Sequence, residues 1–270
     1  GVLAAKYCRI PVVWHLNDTG SPRAVRMLFR WLKYIPVGFI CAGECVRKYY
    51  FPNATQSNIV VIQSPVDCSE FSPSSAQAVP TEQQRDNRKP PLVVTVGNIG
   101  RVKGIEVFIS AINKVVAHKQ VHARVLGAKL TSQKDYMSHI DWLIEECQLD
   151  HIVKISTPKS VAASLREAAV YVCASWSEAS PIAVWEAMAA GLPVIATDVG
   201  EVSRFIKDGK TGYVVNRGAD HLIAEKIIWV LENPEHAKEM GERARAVALM
   251  HFDQAKVAES QKSFYSKVLR

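Results

Sequence analysis

From Leu92 onward the chain alternates short apolar runs with longer stretches whose apolar residues recur every three or four positions. The runs fall at 92–96, 123–126, 152–155, 170–174, 194–197 and 213–215, and they are rich in Val and Ile. Apolar runs without a polar alternate face predict strands buried on both sides, which is the pattern of a parallel sheet. The stretches near 104–118, 133–148, 159–168, 181–190 and 201–207 have helical spacing, so the sheet is predicted to carry helices on both faces. Three closing helices are predicted at 220–232, 234–250 and 253–269. A shorter version of the same alternation comes first, with strands at 10–16, 37–41 and 59–62 and helices at 22–35 and 44–51. Between the two lies a polar segment, 72–91, with Pro73, Pro80, Pro90 and Pro91 and no aromatic residue, which predicts a linker. The expected organisation is a first lobe over 1–72, a linker over 73–91, a second domain over 92–252 and a final helix, 253–270, packing back on the first lobe.

Composition narrows the class. In 270 residues with 48% hydrophobic content a substantial core is expected, and no apolar run approaches the roughly 18 to 20 residues that cross a bilayer. Lys6 and Arg9 interrupt the apolar start, which does not read as a signal peptide. The cysteines at 8, 41, 45, 68, 147 and 173 form no pair at zinc spacing and predict a reducing, cytoplasmic compartment. Net charge is +7, concentrated at the start: residues 1–50 hold Lys6, Arg9, Arg23, Arg26, Arg30, Lys33, Arg47 and Lys48 against Asp18 and Glu44. Four of these cations, Arg23, Arg26, Arg30 and Lys33, share one face of the helix predicted at 22–35. Val25, Leu28, Phe29 and Leu32 form a second stripe, edged by Met27 and Trp31. Such a helix either packs on the sheet with a solvated basic face or meets an anionic membrane surface, the inner face of the membrane for a cytoplasmic protein.

Candidate chemistry centres on 170–200. The strand at 170–174 runs into a polar turn holding Glu178, and Ser180 is placed to cap a helix with Pro181 in its first turn. Glu186 follows eight positions after Glu178, and Gly191 and Pro193 end the helix. A helix start suits a phosphate, and a carboxylate accepts two neighbouring hydroxyls, so a nucleotide or sugar ligand is indicated. As spacing alone, the two Glu equally describe a solvated turn and a surface helix. The turn Gly97-Asn98-Ile99-Gly100-Arg101-Val102-Lys103-Gly104 lies between a strand and a helix, as phosphate-binding turns do, but lacks the dinucleotide fingerprint.

The run from Ser177-Glu178-Ala179-Ser180-Pro181 through Glu186 to Gly200, and on to Asp208-Gly209-Lys210-Thr211-Gly212, closely resembles the Glu-x7-Glu signature of retaining glycosyltransferases of the GT-B fold, family 4 or group 1. The segment Ser64-Pro65-Val66-Asp67 to Phe71-Ser72-Pro73 resembles the stretch that leaves the first domain in that family, although no Gly is present. The resemblance implies an α/β protein of two Rossmann-like lobes, the N-terminal, acceptor-side lobe incomplete here and the second lobe binding the donor. It implies that Glu186 holds the ribose of a nucleotide-diphosphate sugar, that Glu178 contacts the donor sugar, and that Ala179, Ser180, Pro181 and Ile182 cup sugar and phosphate. Gly97, Asn98, Arg101 and Lys103 are implied to meet the diphosphate, with Arg101 replacing an Arg that many members have at the position of Asn98. His15 resembles a histidine that faces the interdomain cleft, beside its reading as a structural histidine. The family's Gly-Gly-x-x-Glu becomes Gly200-Glu201-Val202-Ser203-Arg204, and no role is drawn from it. There is no Asp-x-Asp and no set of metal ligands, so neither metal nor other cofactor is expected. The expected partners are a nucleotide-sugar and a glycan or lipid-linked acceptor, with no nucleic acid. Two rivals stay open: a non-catalytic nucleotide-sugar-binding or assembly protein, or a carboxyl-terminal part of an enzyme. A nicotinamide-dependent oxidoreductase is disfavoured by the broken fingerprint.

Overall fold

The computed structural model describes residues 1–53, 56–73 and 89–269. Residues 74–88 of the expected linker lie outside them. Two parallel sheets organise the chain. The first comprises β1 (Val13–Leu16), β2 (Gly38–Cys41) and β3 (Ile59–Val61) in that order, connected by α2 (Arg23–Leu32) and α3 (Glu44–Tyr50). A short helix, α1 (Val2–Tyr7), precedes it and buries no residue. That helix was not expected from the sequence, and the strand after it begins at Val13 rather than Ile10. All four residues of β2 are buried, as its central place requires.

The second sheet has six strands in the order β6-β5-β4-β7-β8-β9, all parallel. These are β4 (Leu92–Val96), β5 (His122–Leu126), β6 (Val153–Ser156), β7 (Val170–Cys173), β8 (Val194–Thr197) and β9 (Tyr213–Val215). α4 (Ile105–Val116), α5 (Lys134–Glu146), α6 (Val161–Glu167), α7 (Ile182–Ala189) and α8 (Val202–Phe205) connect them. α9 (Asp220–Glu232), α10 (Pro234–His251) and α11 (Gln254–Val268) close the chain. One face buries Phe108, Ile112, Ile140 and Ile227, and the other buries Leu165, Trp185, Met188 and Phe252. This two-sided burial is why β7 and β8 read as unbroken apolar runs. Strand order reverses between β4 and β7, and the crevice at their carboxyl ends is where such sheets bind ligands.

The two sheets are joined where the chain crosses between them. Val66 N–H donates to the Phe252 carbonyl and Gln254 N–H to the Val66 carbonyl, so the outgoing and returning strands of chain lie side by side. Arg245 fastens the same region, donating to the carbonyls of Phe71 and Ala189. α11 then crosses to the first sheet, where Phe264 and Val257 pack with Ile40 and Ile62. α2 rests on this sheet through Phe29 alone among its residues, stacked among Trp14, Phe39, Tyr50 and Phe51. Of the rest of its expected apolar stripe Leu32 is part-buried, while Val25 and Leu28, and Met27 and Trp31 at its edge, are all at least half exposed.

Candidate donor site

Two loops meet at the carboxyl ends of β4 and β7. Gly104 makes this approach possible: its φ is +60°, and a Cβ there would lie 2.1 Å from the Ala174 carbonyl oxygen. Trp176 N–H donates to the Val102 carbonyl across the same contact. Thr197, fully buried at the end of β8, donates its hydroxyl to the Ser175 carbonyl at 2.7 Å and so anchors the start of the second loop.

Lys103 and Glu178 face one another across this junction. Lys103 Nζ lies 2.7 Å from Glu178 Oε1, and Ser175 Oγ donates to the same oxygen at 2.8 Å. The pair borders a narrow cavity of about 20 Å³ lined also by Thr95, Tyr171, Pro181 and Ile182. That volume holds about one water. Lys103 reaches across Gly97, where a Cβ would stand 3.1 Å from its Cδ.

Tyr171 is buried within electrostatic reach of both Glu178 and Glu186; burial, then the charges of Cys173 and the two carboxylates, raise its phenol well above the usual value. Glu186, in the second turn of α7, is half-buried and makes no side-chain hydrogen bond to another described residue. Burial first, and the charge of Glu70 second, push its carboxyl up to about 7. Its carboxyl is thus open to a hydrogen-bonding partner from outside the described residues.

The remaining expected residues are placed differently. Pro181, not Ser180, is the residue before α7, and Ser180 Oγ turns away from the helix to accept from Trp185 Nε1 and Ser64 N–H. This is a correction to the expected cap, and its cause is the side chain's set of tertiary partners. Arg101 stacks its guanidinium over the Tyr136 ring at 5.5 Å, and Asn98 accepts from Ala128 N–H. Pro181 and Ile182 line the cavity, while the Ala179 carbonyl lies against Gly200 and Gly43. His15 is exposed on β1, and its Nε2 lies 2.7 Å from Tyr265 Oη on α11. Among the described residues no cluster of three His, Cys, Asp or Glu side chains could hold a metal, and no helix is long and apolar enough to cross a membrane.

Glu201 is the residue that sequence reasoning missed. It is 3% exposed; its Oε1 accepts the Glu44 N–H at 2.7 Å, and its Oε2 accepts from Arg204 and Gln63. The displaced carboxylate in Gly200-Glu201-Val202-Ser203-Arg204 was its signal, but its partner at Glu44 lies 157 positions away.

Comparison with known proteins is consistent with this geometry. The family described as "Glycosyl transferases group 1" matches residues 80–247. Spore coat protein SA of Bacillus subtilis is 30% identical over 184 residues, 65% of this chain and 48% of that protein. The N-acetyl-alpha-D-glucosaminyl L-malate synthase of Bacillus anthracis is 28% identical, over 66% of this chain and 46% of its own length. The chain thus spans about half the length of these curated relatives. Among solved structures, Anabaena Alr3699/HepE in complex with UDP superposes with a TM-score of 0.88 at 20% identity, covering 99% of this chain and 75% of that one, a likeness of fold.

Proposed function

The chain belongs to the group 1 glycosyl transferases, and from that premise we propose that it is the donor-binding part of an enzyme that moves a sugar from a nucleotide-diphosphate sugar to a glycan or lipid-linked acceptor, with retention and without a divalent metal. The observation that carries the reading is the convergence of Lys103 and Glu178, with Glu186 beyond Tyr171, at the point where strand order reverses. Each group has a task there. The Lys103 ammonium neutralises charge on the departing diphosphate, which is where the transition state gains most. Glu178, freed from Lys103 as the diphosphate arrives, accepts from hydroxyls of the donor sugar. Glu186, half-buried and without a side-chain hydrogen bond to another described residue, accepts hydrogen bonds from the ribose diol. The UDP bound to the Anabaena structure supports a nucleotide ligand for this fold.

Thermal unfolding against a panel of UDP-, GDP- and ADP-sugars tests the reading. A donor at a hundred times its dissociation constant adds about 2.7 kcal/mol of stability. One nucleotide class is expected to raise the midpoint by several degrees, equally with and without excess chelator. A panel that leaves the midpoint unmoved contradicts the reading, and a shift that vanishes on chelation contradicts its metal independence. Slow donor hydrolysis by the shifted complex separates an enzyme from a binding protein.

A further inference from the structure

The loop that carries Glu178 is gripped from outside by the first sheet's side of the molecule. Ser180 Oγ sits at the centre of three hydrogen bonds: it accepts from Trp185 Nε1 at 3.1 Å and from Ser64 N–H at 3.2 Å, and donates to Gln63 Oε1 at 3.2 Å. Gln63 is itself 8% exposed, and its Nε2 donates onward to Glu201 Oε2 at 3.4 Å. Glu201 in turn accepts the backbone N–H of Glu44. Two glycines close the space around the loop. Gly200 has a φ of +55° and would place a Cβ 2.4 Å from the Ala179 carbonyl oxygen, and a Cβ at Gly43 would meet that same oxygen at 3.0 Å. The peptide from Glu178 to Ser180 therefore runs between Gly200 and Gly43, and among the described residues the one side chain that binds both Ser180 and Glu201 is Gln63.

We propose that Gln63 is a positioning residue for the donor-sugar loop, tying Ser180 to Glu201 so that the peptide bearing Glu178 is held in place from the first sheet's side. A buried amide is suited to this task. Its carbonyl end accepts from the Ser180 hydroxyl while its NH2 end donates to the Glu201 carboxylate, so one side chain bridges the two groups. Glu186 follows Trp185 directly in α7 and makes no bond to Ser180 or Gln63, so the chain of bonds stops short of the nucleotide-side carboxylate. Gln63 consequently governs recognition of the sugar and not of the nucleotide. The binding consequence rests on the donor reading given above; the effect on the loop does not.

The test uses the full chain and Gln63→Met, which keeps the length of the side chain and removes both polar ends. Amide hydrogen exchange is measured without ligand. Exchange across 178–182 is expected to rise about tenfold, as loss of about one hydrogen bond's worth of protection requires, while 97–104 is unchanged. Calorimetry with UDP and UDP-glucose, or with the nucleotide pair that shifts the wild-type midpoint, is expected to show UDP affinity within twofold of wild type and the extra affinity given by the sugar reduced about tenfold. Ser180→Ala is expected to reproduce the exchange effect, which guards against misfolding of a single variant. Unchanged exchange at 178–182, or a rise spread evenly over both loops, overturns the proposal. If the wild type binds no nucleotide, the donor reading fails while the exchange result still decides the role of Gln63.

Discussion

Burial raises the Glu186 carboxyl to about 7 and gives it no protein donor, so its titration reports on whatever binds there. Ribose hydroxyls bond the ionised form, and ionisation is what burial opposes. Nucleotide affinity is therefore expected to rise with pH through about 7, by about tenfold between pH 5.5 and 8.5, and to be flat in Glu186→Gln. Calorimetry at the two pH values checks this, and equal wild-type affinities would contradict it. The stability effect has the opposite sense. A carboxyl whose folded value lies above its unfolded one loses stability as pH rises from about 4.5 through 7, and Glu186→Gln removes that loss. Discounted for its partly open position, the gain above pH 8 is about 1–2 kcal/mol in urea unfolding. At this scale the sequence was most legible where neighbours in the chain share one site, as Glu178 and Glu186 do around Tyr171. Gln63 and Glu201 were illegible because their meeting depends on two segments 138 positions apart.

Elements were legible in proportion to how fully their surroundings agree with their local pattern. The strands of the six-stranded sheet followed from apolar runs that the structure covers on both faces. α2 was legible as a helix but not in its packing. Its periodicity gave a stripe of four apolar residues, of which Phe29 alone is buried. The remainder, with Trp31 79% exposed, stands beside Arg23, Arg26 and Arg30. We propose that this face meets an anionic membrane surface, where each cation contributes about 1 kcal/mol and the exposed aromatic and aliphatic groups add a part insensitive to salt. Arg26→Glu with Arg30→Glu is expected to abolish co-sedimentation with vesicles containing anionic lipid at low salt and to leave nucleotide binding unchanged. Equal wild-type binding to neutral vesicles, or no effect of the charge reversal, contradicts the membrane role and leaves contact with further protein as the use of this face.

At the scale of the whole molecule, the closing helix matters to both halves. α11 starts beside Val66 and ends with Phe264 against the first sheet, near enough to Gly38 that a Cβ there would lie 2.9 Å from the ring. Phe264→Ala is expected to cost about 3–5 kcal/mol, seen as a lower urea midpoint, because the ring is buried between Ile40 and Ile62. A loss under 1 kcal/mol would mean that α11 is not what holds the first sheet. The two-sheet plan was readable from alternation and from the polar break between the halves. The return of the closing helix to the first sheet was also expected, but the polar contacts between the halves were not, since they rest on Arg245, Gln63 and Glu201 reaching across from distant segments. In the function proposed above, this junction shapes a nucleotide-sugar site with Glu186 on the ribose. Its most direct test is calorimetric titration of the wild type and Glu186→Ala at pH 8 with the nucleoside diphosphate that stabilises the protein. The account predicts saturable wild-type binding weakened by about 1.5–3 kcal/mol in the variant, roughly ten- to hundredfold, as loss of hydrogen bonds to a charged group requires. Equal affinity in the two proteins would contradict it.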